Sequence, residues 1–132
     1  MVTPFEMLED TEGQARFCFA HIDKAFTTGV LLLKPDAELP KHHRPDAFEN
    51  LLQVAGHSQV TLLNEAGEVE ATYDLTPGTV LRMRKGQWHI HANPFEEQSV
   101  TQFKAEGDIT EIVTTMRHKY TVVDLDEAPK QP

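Results

Sequence analysis

The sequence predicts an all-β domain of the sandwich or barrel type, and three observations carry that prediction. A chain of 132 residues has room for one hydrophobic core and buries roughly two-thirds of the surface its unfolded form exposes. Short runs of β-type residues recur along it, punctuated by residues that favour turns. No stretch sustains a 3.6-residue apolar rhythm over three or more turns. Many short strands in a chain of this size close into a sandwich or barrel.

Taken in order, the first 13 residues are polar and read as an amino-terminal arm, 14–123 as the barrel, and 124–132 (DLDEAPKQP) as a carboxy-terminal tail. Candidate strands are 14–20, 27–34, 48–55, 58–63, 68–74, 79–84, 87–92, 99–104 and 109–116. The connectors stop strands by their own chemistry. Asn64-Glu65-Ala66-Gly67 reads as a hairpin loop, Thr76-Pro77-Gly78 as a turn with a glycine free to take positive φ, and Asn93-Pro94 as a further break. Gly78 and Gly86 open and close a β-segment, Gly56-His57 opens a hairpin, and Asn93 is read as bonding the turn that follows it.

Composition narrows the function classes. Hydrophobic residues make up 39% and charged residues 25%, and no apolar run approaches the ~20 residues of a membrane span, so neither a membrane-spanning nor a disordered chain fits. Twelve basic against twenty-one acidic residues give a net charge of -9, which argues against a nucleic-acid partner. A small neutral or anionic ligand can still meet a local positive pocket. Cys18 is the single cysteine and is read as a buried structural residue; with an acidic amino terminus in place of a signal sequence, the expected compartment is the cytoplasm.

The chemistry gathers in the histidines. Five of seven (His42, His43, His57, His89, His91) fall between residues 42 and 91. Imidazole and carboxylate groups suit Zn, Fe, Mn, Ni or Cu. Residues i and i+2 share one face of a strand, so His89 and His91 point one way while Trp88 and Ile90 point the other. By the same rule His42 and Arg44 share a face and His43 is directed away. Glu49 follows the Pro45-Asp46 break and can return alongside from the next strand. His91 is read as a hydrogen-bonding residue of the pocket wall. His21, His43, His57 and His118 read as solvent-facing or turn residues, Arg82 and Arg84 as a solvated face, and Trp88 and Phe48 as core or dimer-face residues.

The same residues resemble the two motifs of the cupin superfamily, G-x5-H-x-H-x3,4-E-x6-G and G-x5-P-x-G-x2-H-x3-N. In the second motif Gly78, Gly86, His89 and Asn93 fall at the expected positions and Arg84 replaces the proline. In the first, His42, Glu49 and Gly56 keep their spacing, Asp36 stands for the leading glycine, and Arg44 stands where the second histidine belongs. A register starting from His43 puts Pro45 at that position, so neither alignment supplies the full pair.

The resemblance implies a double-stranded β-helix, a jelly-roll barrel with its site in the mouth or interior. It implies a divalent metal (Fe, Mn, Zn, Ni or Cu) held by His42, Glu49 and His89. Arg44 complicates this, since a guanidinium ~6 Å from a dication is repelled by roughly 5 kcal/mol at an effective dielectric of ~20. Two functions are therefore expected as alternatives. One is an enzyme of dioxygenase, isomerase or decarboxylase type, with Arg44 orienting an anionic group and His91 moving a proton. The other is a metal-free binder of a sugar or organic acid, with Arg44 paired to Glu49. A homodimer is expected in either case.

Overall fold

Two antiparallel sheets face each other in the computed structural model of the protein, which describes residues 4–123. The larger sheet draws on β1 (Met7–Glu9), β2 (Ala15–Ile22), β3 (Phe26–Leu33), β5 (Ala47–Ala55), β8 (Val80–Met83), β10 (Ser99–Gly107) and β11 (Thr121–Val122), with spatial order β11-β1-β2-β3-β10-β5-β8. The smaller takes β4 (Glu38–His42), β6 (Ser58–Leu63), β7 (Val69–Leu75) and β9 (Trp88–Ala92), in the order β4-β9-β6-β7. The chain crosses repeatedly between the sheets, and the result is the jelly-roll barrel that the sequence led us to expect.

Period-two alternation builds the interior. Along β3 every second side chain is buried, so Leu31 and Leu33 face inward while Val30 and Leu32 face the other way, although the run reads as continuously apolar. Two clusters fill the barrel, one around Leu8, Phe17, Phe19 and Leu33, the other around Leu51, Val60, Leu75 and Met83, and Phe103 packs against both. Gln53 ties the interior together with polar bonds: its Oε1 accepts from Ser58 and Thr101 at 2.9 and 2.8 Å, and its Nε2 donates to Ser99 at 3.0 Å. Every member is buried and paired, which removes the cost of enclosing polar groups.

Two backbone positions explain the motif residues. Gly56 has φ +65°, and a Cβ there would come within 2.2 Å of the Gln98 carbonyl oxygen, so only glycine fits where β5 turns into β6. Asp36 holds φ +67° at the position where the motif has glycine. Aspartate is among the few side chains that tolerate this region, so the turn into β4 survives the exchange. Asn93 pins that turn: its carbonyl accepts from Asp36 N–H and its N–H donates to the Ala37 carbonyl, both at 2.8 Å. Its side-chain amide also donates to Leu33 and Glu97 carbonyls at 3.0 and 2.7 Å.

The strand expected over 109–116 is instead the helix α1 (Thr110–Lys119). Ile109, Ile112, Val113, Met116 and Tyr120 recur at three- and four-residue spacing and pack on the first core cluster. The Asp108 carboxylate accepts from Thr110 N–H and Oγ1–H at 3.0 and 2.6 Å as the helix begins. Glu111 near the start and Arg117, His118 and Lys119 in the last turn complement the helix dipole. Part of the stretch read as an arm forms β1, which pairs with β2 and β11. Residues 124–132, read as a tail, lie outside the described residues.

Candidate metal centre

Three strands deliver the central group. His42 ends β4, Glu49 lies early in β5 and His89 sits in β9, and one ligand-type atom from each lies within 4.8 Å of the others. Cross-strand pairing of His42 with His89 brings the rings to 4.1 Å between centroids at 61°. His43, one residue on, takes the opposite face and stacks on Trp88 at 3.7 Å and 15°. That stack separates two histidines that spacing alone left as alternatives: His42 lines the cavity and His43 does not.

Backbone carbonyls set the orientation of both rings. His42 Nδ1 lies 2.8 Å from the Pro40 carbonyl and His89 Nδ1 lies 2.9 Å from the Gln87 carbonyl. A carbonyl only accepts, so each Nδ1 carries its proton, and in the neutral ring Nε2 is a bare lone pair. Gln87 is itself held in place, its amide donating to the Leu63 and Trp88 carbonyls at 2.9 and 3.0 Å. His89 Nε2 then faces Glu49 Oε2 at 3.4 Å. Two acceptors opposed in an enclosed space repel each other unless a cation or a proton lies between them.

Arg44 contributes the fourth charge. Its Nε lies 3.1 Å from Glu49 Oε1, and its Nη1 donates to the His43 carbonyl at 3.4 Å. Electrostatics follow from this crowding. Burial, then the charges of His89 and Arg44, push His42 down to about 3. Burial alone would raise Glu49, but contact with His89 and the charges of Arg44 and both histidines outweigh it and hold the carboxyl at about 2. His91, 2% exposed, is pushed down to about 4 by burial and by His89. Its Nε2 is buried without a hydrogen-bond partner.

These groups line a cavity of about 40 Å³ inside the barrel, walled by apolar side chains such as Phe19, Leu51 and Phe103. Outside it lies an open chamber of about 430 Å³ between β4 and α1. His42 and Arg44 line both spaces. The wall that α1 supplies through Ile112, Met116 and Lys119 is not among the expected site residues, because 109–116 reads locally as a strand; the three- and four-residue apolar spacing is the signal that points to it. Arg82 and Arg84 stay outside, paired with Glu106 at 3.1 Å and with Glu70 at 3.9 Å. Phe48 lies under the cations of Arg82 and Lys85.

Comparison with solved structures places the architecture. An RmlC-like cupin from Shewanella frigidimarina superposes with a TM-score of 0.65 at 14% identity, over 81% of this chain and 88% of that one. The cupin domain of Schizosaccharomyces pombe Cnp3 superposes with a TM-score of 0.63 at 17% identity, over 76% and 66%. The chain has the cupin fold. An oxalate oxidase in complex with glycolate is similar over 63% of this chain, with a TM-score of 0.58 and 15% identity. The chain spans 66% of the Cnp3 domain and 42% of the oxalate oxidase. No protein-family model and no curated protein matches the sequence.

Proposed function

We propose that this cupin barrel holds a divalent metal (Fe, Mn, Zn, Ni or Cu) through His42, Glu49 and His89 and acts on a small polar or anionic organic substrate. One observation carries the reading: two imidazole rings fixed by backbone carbonyls each bring a ligand-type nitrogen within 4.8 Å of one carboxylate oxygen, His89 Nε2 facing it at 3.4 Å. Two imidazole nitrogens and a carboxylate oxygen form a donor set that suits these metals and leaves positions open. Donors ~2.1 Å from one ion lie at most ~4.2 Å apart. A group spanning 4.8 Å therefore closes by at least about half an ångström around an ion. Arg44 does not forbid this. The roughly 5 kcal/mol by which a dication ~6 Å away repels its guanidinium is smaller than the roughly 15 kcal/mol by which the same dication is attracted to a touching Glu49 carboxylate at the same effective dielectric of ~20.

A metal bound there supplies Lewis acidity or oxygen activation, the chemistry of the dioxygenase, isomerase and decarboxylase classes. Glu49 and the two histidines hold it, Arg44 orients an anionic group at the cavity mouth, and His91 serves a proton to or from the substrate inside. Glycolate bound to the similar oxalate oxidase is itself a small carboxylate. The 3.1 Å contact between Arg44 and Glu49 favours a second reading, a metal-free pocket for a sugar or organic acid shaped by that ion pair. Elemental analysis of the purified protein before and after chelator dialysis, and after reloading with each metal, separates the two. The metal reading expects about one ion per chain, removable and restorable. Far less than one for all five metals overturns it and leaves the ligand-binding pocket.

A further inference from the structure

The inner cavity is too small for a substrate. At roughly 10–15 Å³ for each water-sized position, about 40 Å³ admits an ion and a pair of ligand atoms. The outer chamber, about 430 Å³, is of the size that small organic molecules fill. A molecule that reaches His42 therefore keeps its body between β4 and α1 and inserts only its head.

The chamber has a definite chemistry. Apolar side chains from both walls, Phe17 and Leu39 from the barrel and Ile112 and Met116 from α1, line its middle. Its charged groups are Lys41, Arg44 and Lys119 against the carboxylate of Glu111, with the Arg44 charge shared with Glu49 behind it. Lys41 rests its ammonium 5.0 Å over Trp88, which leaves Arg44 as the cation at the throat. Arg44 is underused. Of its five N–H donors, Nη1 reaches only the His43 carbonyl, at 3.4 Å, and Nε lies beside Glu49. Deeper in, His91 keeps a buried Nε2 without a partner. A dication added to Arg44 and Glu49 leaves two units of positive charge, which an anionic head reduces.

We propose that the chamber between β4 and α1 binds an amphipathic monocarboxylate, its apolar body against Phe17, Leu39, Ile112 and Met116 and its carboxylate at Arg44. This deepens the small-anion reading of the same site and rests on it for the head position, whereas the body position rests on the chamber alone.

Calorimetric titration with acetate, butanoate, hexanoate, octanoate and hexan-1-ol tests it, on chelator-treated and metal-loaded protein of measured metal content. Affinity is expected to rise up to about fourfold for each added methylene until the chamber is full. Hexan-1-ol is expected to bind at least tenfold more weakly than hexanoate. Thr115→Trp, at an exposed position of the chamber wall, should weaken octanoate at least tenfold and acetate little. Arg44→Met should weaken all four acids at least tenfold. Equal affinity for acid and alcohol, no gain with length, or octanoate binding untouched by Thr115→Trp overturns the proposal, and none of these requires the Arg44 variant to fold. One ion per chain without alkanoate binding defeats this site and spares the metal; alkanoate binding without any ion does the reverse.

Discussion

Arg44 and Glu49 sit 3.1 Å apart with side chains 17% and 14% exposed, so each neutralises a charge that little water can reach. Removing one partner of such a pair leaves the other uncompensated and costs roughly 3–5 kcal/mol. Arg44→Met is therefore expected to lower the stability of chelator-treated protein by about that much in urea unfolding, and a divalent ion is expected to restore most of the loss by taking over the carboxylate. Loss without recovery contradicts a metal at Glu49. His91 sets a pH dependence. Its ring has an unfolded value near 6.5 and is held at about 4 in the fold, so the unfolded chain binds a proton that the folded one refuses. Stability is thus complete above pH 6.5 and falls as the pH drops toward 4, by about 3 kcal/mol for this residue. His42, held at about 3, adds to the same trend. His91→Leu should make the decline of the metal-free protein shallower; an unchanged decline contradicts the assignment. At this scale the central histidines and Glu49 were legible from their resemblance to the cupin motifs, whereas the choice of His42 over His43 was not, since it depends on the Trp88 ring that captures His43.

Among the elements, eight of the strands expected from turn chemistry form, with ends shifted by up to three residues. The failures have physical causes. The sequence Glu38–His42 carries Pro40, which lacks a donor, and it forms β4 only because it lies at an edge of the smaller sheet. Three residues suffice for β1 because β2 and β11 flank it, a condition set by residues 114 positions away that no local pattern reveals. In α1 the β-branched Ile, Val and Thr residues favour a strand locally, and burial of one face on the barrel overrides them. Leu8 tests the weight of β1, being fully buried in the first core cluster. Leu8→Ala is expected to cost 2–5 kcal/mol. A loss below about 1 kcal/mol in urea unfolding would show that β1 is peripheral to the core.

For the molecule as a whole, twenty-one acidic residues outnumber twelve basic ones, while the chamber between β4 and α1 is lined by Lys41, Arg44 and Lys119 against Glu111. Among the described residues no helix is long and apolar enough to cross a membrane. On the larger sheet Leu52, Val54 and Val80 are 36%, 50% and 65% exposed, and Leu52 pairs directly with Val80. We propose that this face pairs two copies into a homodimer. Light scattering should report twice 14.9 kDa, reduced to the single-chain mass by Leu52→Lys with Val80→Lys; a single-chain mass for the unaltered protein contradicts the pairing. At the heart of the barrel an ion is expected among three side chains from β4, β5 and β9. Anomalous scattering from crystals, recorded across the absorption edges of the five metals, tests it most directly: the expected result is one peak between His42, Glu49 and His89, and either no peak or one elsewhere on the chain contradicts the account.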